Sequence, residues 1–195
     1  SSTTDLTAAK VIFKVPGCPF IFALSMYWLA EELLDHHINE DKIPYDKWHD
    51  QELLRLCPGN SVHAKYVKEW FIEVQEKLDI YIPWIGFDSW SAKYWVEDMR
   101  GYFGKESMIP VIQGKKTLSA PMKQLGADLE SKLVIYSNNP IDKWCLANTA
   151  IEEDKNANIQ PCKTSKPTRR IDGTAALLDA YVVLRDKQSE YENMI

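Results

Sequence analysis

Three stretches of this chain place an acidic residue where a divalent cation or a reacting group could use it. Asp88 closes the apolar run Ile85-Gly86-Phe87 just before a helical stretch, and open α/β sheets put their sites at the carboxyl ends of strands. An N-cap role, favoured for Asp at a helix start, explains the same placement. Asp172 lies in the first turn of the last predicted helix, beside Gly173, which has no side chain to obstruct a ligand or strand. Asp179, seven residues on, shares nearly the same helix face two turns away. A dipole-favoured first-turn Asp with solvated neighbours is the plainer account of this pair. Asp5 follows Ser1-Ser2-Thr3-Thr4 ahead of a strand, where a turn bonding its own backbone amides is the simpler role.

Upstream of Asp172, the run Lys163-Thr164-Ser165-Lys166-Pro167-Thr168-Arg169-Arg170 holds four cations and no acid. Beside an acidic metal site, Lys163, Lys166, Arg169 and Arg170 would suit phosphate groups; a solvated loop would read the same way. The whole chain carries a net charge of −5, which argues against a passive nucleic-acid-coating protein but leaves room for a local patch. Gly114-Lys115-Lys116-Thr117 does not make a phosphate loop, because Gly is missing five residues earlier and Lys116 stands where Ser or Thr is required. The four histidines fall between His36 and His63 without metal-ligand spacing, and read as surface or packing residues. Cys18, Cys57, Cys145 and Cys162 are too scattered for a zinc site or a disulfide framework, so free thiols in a reducing cytoplasm are expected.

The elements that must position these residues read as a mixed α/β set. Leu6–Val15 and Pro19–Trp28 form a β-hairpin across Pro16-Gly17-Cys18-Pro19. Leu29–Asn39 is helical and Tyr45–Leu54 a second short helix or irregular segment. Val62–Leu78 is an amphipathic helix with Ser61 at its N-cap. A strand follows at Trp84–Phe87, a helix at Trp90–Phe103, a strand at Met108–Gln113 and a helix at Pro121–Lys132. Lys132–Tyr136 is a short strand, Ile141–Ala147 a short helix, and Thr149–Glu153 with Asn158–Pro161 a second hairpin. Arg170–Tyr191 is the last, long helix. The 195 residues, 45% of them hydrophobic and including seven Trp and nine Tyr, suit a single domain with a sizeable core. No apolar run of about 18 residues is present to span a membrane, and no signal peptide opens the chain. The abrupt start at Ser-Ser-Thr-Thr-Asp, without Met, is expected of an excised domain.

An ordered set of segments resembles the C-terminal half of tailed-phage large terminase subunits. They read Ser-Ser-Thr-Thr-Asp-Leu-Thr-Ala at 1–8, Phe-Ala-Leu-Ser-Met-Tyr-Trp-Leu at 22–29, Ile-Pro-Tyr-Asp-Lys-Trp at 43–48 and Pro-Gly-Asn at 58–60. Gly-Phe-Asp-Ser-Trp-Ser-Ala at 86–92, Pro-Val-Ile-Gln-Gly at 110–114 and Leu-Ser-Ala-Pro-Met-Lys at 118–123 follow. Asn-Pro-Ile-Asp-Lys-Trp at 139–144 and Arg-Ile-Asp-Gly-Thr-Ala-Ala-Leu at 170–177 complete it, covering nearly the whole chain in order.

This resemblance implies an RNase H-like nuclease domain, a central mixed β-sheet flanked by helices, spanning residues 1–195. It implies Mg²⁺ or Mn²⁺ in a two-metal site and cleavage of concatemeric double-stranded DNA during genome packaging, in the cytoplasm of a bacterial host. The implied partners are double-stranded DNA, an N-terminal ATPase domain not contained in this chain, the portal and the small terminase subunit. By motif, Asp88 and Asp172 are the implied metal-binding catalytic residues, and Asp179 is an added outer ligand. The family's remaining ligand, on the first strand, is expected in an Asp-Leu that precedes Ser1, with Asp5 a near-site polar residue and not its replacement. A non-catalytic module docking DNA or the portal is the main alternative. An RNase H-like resolvase or transposase core ranks third, because such cores lack the Leu-Ser-Ala-Pro-Met-Lys and Trp-rich segments.

Overall fold

The structure is a computed structural model that describes residues 6–90, 95–164 and 169–195. Its nucleus is an antiparallel hairpin of β1 (Thr7–Lys14) and β2 (Ile21–Ala30), in register from Thr7 opposite Trp28 to Lys14 opposite Ile21. Gly17, at φ +76°, supplies the left-handed residue of the turn. Directly opposed Phe13 and Phe22 stack with centroids 5.4 Å apart, a cross-strand contact that pins this register.

The other edge of β2 is shared. Its end, Tyr27–Ala30, pairs in parallel with β3 (Leu54–Cys57), and its start, Ile21–Phe22, pairs in parallel with β6 (Val134–Ile135). The result is a mixed four-stranded sheet. Two further strand pairs stand apart from it: β4 (Ile85–Asp88) beside β5 (Met108–Val111) in parallel, and the antiparallel hairpin β7 (Thr149–Glu153) with β8 (Ile159–Lys163). The single central sheet expected from sequence is therefore divided among the described residues.

Strand alternation sends side chains to two helical layers. Ala9, Val11, Met26 and Trp28 face α3 (Ala64–Leu78), whose Trp70, Phe71 and Val74 they cover. Ile12, Ile21 and Ala23 face the opposite layer, built from α5 (Lys115–Glu130) and α7 (Asp172–Asp186). Tyr27 and Leu29 face α2 (Tyr45–Asp50) and α6 (Pro140–Asn148). α1 (Leu34–Asp41), α4 (Val96–Phe103) and α8 (Gln188–Glu192) complete the set. α7 touches β1, β4 and β5 as well as α5 and α6, so it bridges the two sheets.

Several boundaries differ from expectation. β3 falls at the end of a segment read as helical or irregular, because a four-residue strand carries too little pattern to oppose its helical neighbours. The N-cap of α3 is His63, whose Nδ1 accepts from Lys65 N at 3.1 Å, and not Ser61. α5 begins six residues before Pro121 and holds that proline inside; burial of Leu118, Pro121 and Leu125 outweighs the lost backbone bond. The last helix breaks at Lys187 into α7 and α8.

Candidate active site

β4 and β5 run parallel with Asp88 opposite Val111, so the carboxyl ends of both strands open to one side. Asp88 Oδ1 accepts from Trp90 N at 2.9 Å, a local turn that fixes the carboxylate at the strand's end. α7 lies across these strands so closely that a β-carbon on Gly86 would stand 2.7 Å from Val183 Cγ2 and 3.0 Å from the Asp179 carbonyl. Glycine at 86 thus sets the approach that carries Asp179 to β4. Gln113, two residues past β5, donates from Nε2 to Asp179 Oδ1 at 3.1 Å. Burial pushes the Asp179 carboxyl up to about 7; the Gln113 bond opposes this and the negative charge of Asp88 adds to it.

Asp172 occupies the first position of α7, where the helix dipole favours a negative charge. Its neighbour Gly173 rests on Tyr27 and Cys145: an added β-carbon would lie 2.1 Å from the Tyr27 hydroxyl and 3.1 Å from Cys145 Sγ. Burial pushes the Cys145 thiol up to about 12, so it is an unreactive packing group. All four cysteines are free thiols.

Asp88, Asp172 and Asp179 all line one cavity of about 960 Å³. It runs between the outer edge of β1 and the edge of β4 that faces away from β5, with α7 as its floor. Neither edge has a partner strand among the described residues. The structure couples Asp88 to Asp179 and brings Asp172 onto the same cavity wall. Among the described residues, no three His, Cys, Asp or Glu side chains converge closely enough to hold one metal ion. The donors present are oxygen ligands, the chemistry hard divalent cations prefer, and Mg²⁺ completes its shell with waters.

Asp5 and Lys166 lie outside the described residues. The cationic segment around Lys166 is anchored at both ends on Asn148, which is 1% exposed. Thr164 N reaches Asn148 O at 3.3 Å, Arg169 Nη1 donates to Asn148 Oδ1 at 2.9 Å, and Asn148 Nδ2 donates to Arg170 O at 3.0 Å. Lys163 and Arg169 are exposed at the two sides of this clamp. Arg170 departs from its expected place on a DNA-facing surface. It is 9% exposed, with Nε 3.4 Å from the buried Asp41 carboxylate and Nη2 3.2 Å from His37 Nδ1. Burial, then the Arg170 charge, holds the His37 pKa below its ordinary value, which keeps the imidazole neutral beside the guanidinium.

Sequence reasoning passed over Gln113, Tyr27, Lys10 and Asp142. Gln113 alone carried a signal, as a polar residue just past a strand whose parallel partner ends in Asp88.

Known proteins resemble this chain in sequence and in fold. The family model described as the terminase large subunit, endonuclease domain, matches residues 1–188. The chain is similar to the large terminase subunit of Enterobacteria phage HK97, at 26% identity over 178 residues, which are 91% of this chain and 34% of that protein. It is also similar to protein YmfN of Escherichia coli strain K12, at 28% identity over 149 residues, 73% of this chain and 31% of the relative. The crystal structure of the HK97 bacteriophage large terminase shares its fold, with a TM-score of 0.83 at 24% identity over 94% of this chain and 37% of that one. The chain therefore spans about a third of the length of these relatives. Among the described residues, no helix is long and apolar enough to cross a membrane.

Proposed function

This chain belongs to the terminase large-subunit endonuclease-domain family, and from that premise we propose that it is an RNase H-like, divalent-metal-dependent endonuclease. In this reading it cleaves concatemeric double-stranded DNA during phage genome packaging, in the cytoplasm of a bacterial host. The observation that carries the reading is that Asp88, Asp172 and Asp179, from β4 and α7, line one cavity.

Asp88 and Asp172 would hold the cations, Mg²⁺ or Mn²⁺, with Asp179 as an outer ligand. A bound metal pair supplies an activated water and stabilises the leaving alkoxide. The chain's own residues prepare the place. The Trp90 amide orients Asp88, Gln113 orients Asp179, and α7 presents Asp172 at its dipole-positive end. The cleft between β1 and β4 is suited to one more strand, and we assign it to the acid-bearing first strand that the resemblance puts ahead of Ser1. Lys163, Lys166 and Arg169 would grip phosphates, giving a cut largely independent of base sequence. Arg170 is left out of that group because its charge is committed to Asp41. The wider partners are an N-terminal ATPase domain, the portal and the small terminase subunit.

The test is Mn²⁺-dependent nicking of plasmid DNA by the full-length protein. Asp88→Ala and Asp172→Ala variants that still fold should lose it. Nicking that survives both substitutions would sink the mechanism, and metal-independent DNA binding without nicking would favour a docking role.

A further inference from the structure

Beneath the first turn of α7 lies a charged cluster with no part in the proposed carboxylate set. Lys10 of β1 is 8% exposed and Asp142 of α6 is 3% exposed. The Lys10 ammonium donates to Asp142 Oδ1, to Ser25 Oγ at 2.7 Å and to the Tyr27 hydroxyl at 3.3 Å. Asp142 also accepts from Tyr27 through Oδ1 and from Ser25 at 2.7 Å through Oδ2, so both carboxylate oxygens are occupied. Taking an ammonium and a carboxylate out of water costs several kcal/mol per ion, and apolar residues of the same volume often stabilise a core more. Such a cluster is better explained by what it fixes than by stability.

What it fixes is the Tyr27 hydroxyl, and on that hydroxyl sits the backbone of Gly173. The oxygen stands 2.1 Å from where a β-carbon at 173 would be, and ring atom Cζ stands 3.0 Å away. The Gly173 amide is in turn hydrogen-bonded to Cys145. Asp172 is the residue immediately before, and Lys10 borders the same cavity as Asp172.

We propose that Tyr27, held in place by Lys10 and Asp142, is a positioning residue that sets the height and rotation of the first turn of α7 and thereby aims Asp172 into the cavity. The proposal rests on the reading of Asp172 as a metal ligand. Tyr181 provides an internal control. It lies on the same helix, is buried, and donates to the Asp128 carboxylate at 3.1 Å, but it lies more than two turns from Asp172.

Mn²⁺ affinity, measured by titration calorimetry on the full-length protein, separates the possibilities. Outer-shell partners of metal ligands typically govern affinity 10–100-fold, and Tyr27→Phe should weaken Mn²⁺ binding by about tenfold. Tyr181→Phe should lower the melting temperature yet leave the affinity unchanged. Gly173→Ala should abolish binding by driving a methyl into the hydroxyl, and adding Tyr27→Phe should restore part of it. Equal affinities in wild type and Tyr27→Phe, or equal losses in the Tyr27 and Tyr181 variants, would overturn the positioning role. Undiminished Mn²⁺ binding by Asp172→Ala would instead refute the metal reading beneath it.

Discussion

Replacing Asp179 with Asn should remove a pH dependence from the stability of this chain. In the folded state burial, reinforced by the charge of Asp88 against the opposing Gln113 bond, keeps the Asp179 proton on until about pH 7. The unfolded chain releases it near the ordinary value of 3.8. Between those values the folded state binds more protons, so raising the pH withdraws stability, and the loss is complete above about pH 7. A rise from 3.8 to about 7 is worth about 4 kcal/mol at ~1.36 kcal/mol per tenfold. Partial exposure of the residue brings the expected figure to about 2–3 kcal/mol. Asn cannot ionise, yet retains an oxygen for Gln113. The variant should therefore match wild type at about pH 4 and exceed it by about 2–3 kcal/mol at about pH 8. Urea unfolding followed by Trp fluorescence across that range reads the difference directly. A gap between the two proteins that stays constant with pH would refute the reasoning, because only a titrating group gives it a slope.

Gly86→Ala should cost about 1–3 kcal/mol, since the new methyl meets Val183 at 2.7 Å and the Asp179 carbonyl at 3.0 Å; an unchanged urea midpoint would mean that α7 is not packed so tightly on β4. Arg170→Ala should destabilise by about 3–5 kcal/mol, because it strips the guanidinium from an Asp41 carboxylate that is 1% exposed. A loss under about 1 kcal/mol would return Arg170 to the surface role expected from sequence. Arg169→Ala should destabilise by about 1–3 kcal/mol, because it strips the partner from the buried Asn148 Oδ1, and should lower the salt slope of DNA binding by about one. An unaltered slope would remove Arg169 from the phosphate-gripping set.

The β1–β2 hairpin and the long helices were legible because each repeats its hydrophobic period over many residues, with punctuation by Pro and Gly at the ends. β6 was read as a short strand at Lys132–Tyr136, but β3 was not, because its four residues owe their pairing to the open edge of β2 and not to their own pattern. Asp88 and Asp172 could be singled out because a strand end and a helix start are local features. The pairing of Asp88 with Asp179 could not, since it depends on α7 crossing β4 at a contact made possible by Gly86. Arg170 shows the converse failure. Four cations within eight residues read as one surface, yet Arg169 bonds the buried Asn148 while Arg170 turns inward to His37 and Asp41. Lys10 was equally opaque, because its counter-ion stands 132 residues away in sequence.

The bridging position of α7 has a consequence for synthesis. Sheet edges, hairpins and α3 can form as the chain leaves the ribosome, but Asp172, Asp179 and the helix that joins the two sheets follow every strand of the described residues. Asp88 of β4 and the carboxylates of α7 can line one cavity only once this helix has been made. A chain stopped before α7 would carry Asp88 without Asp172 and Asp179, so the proposed metal site would depend on that one helix having been made.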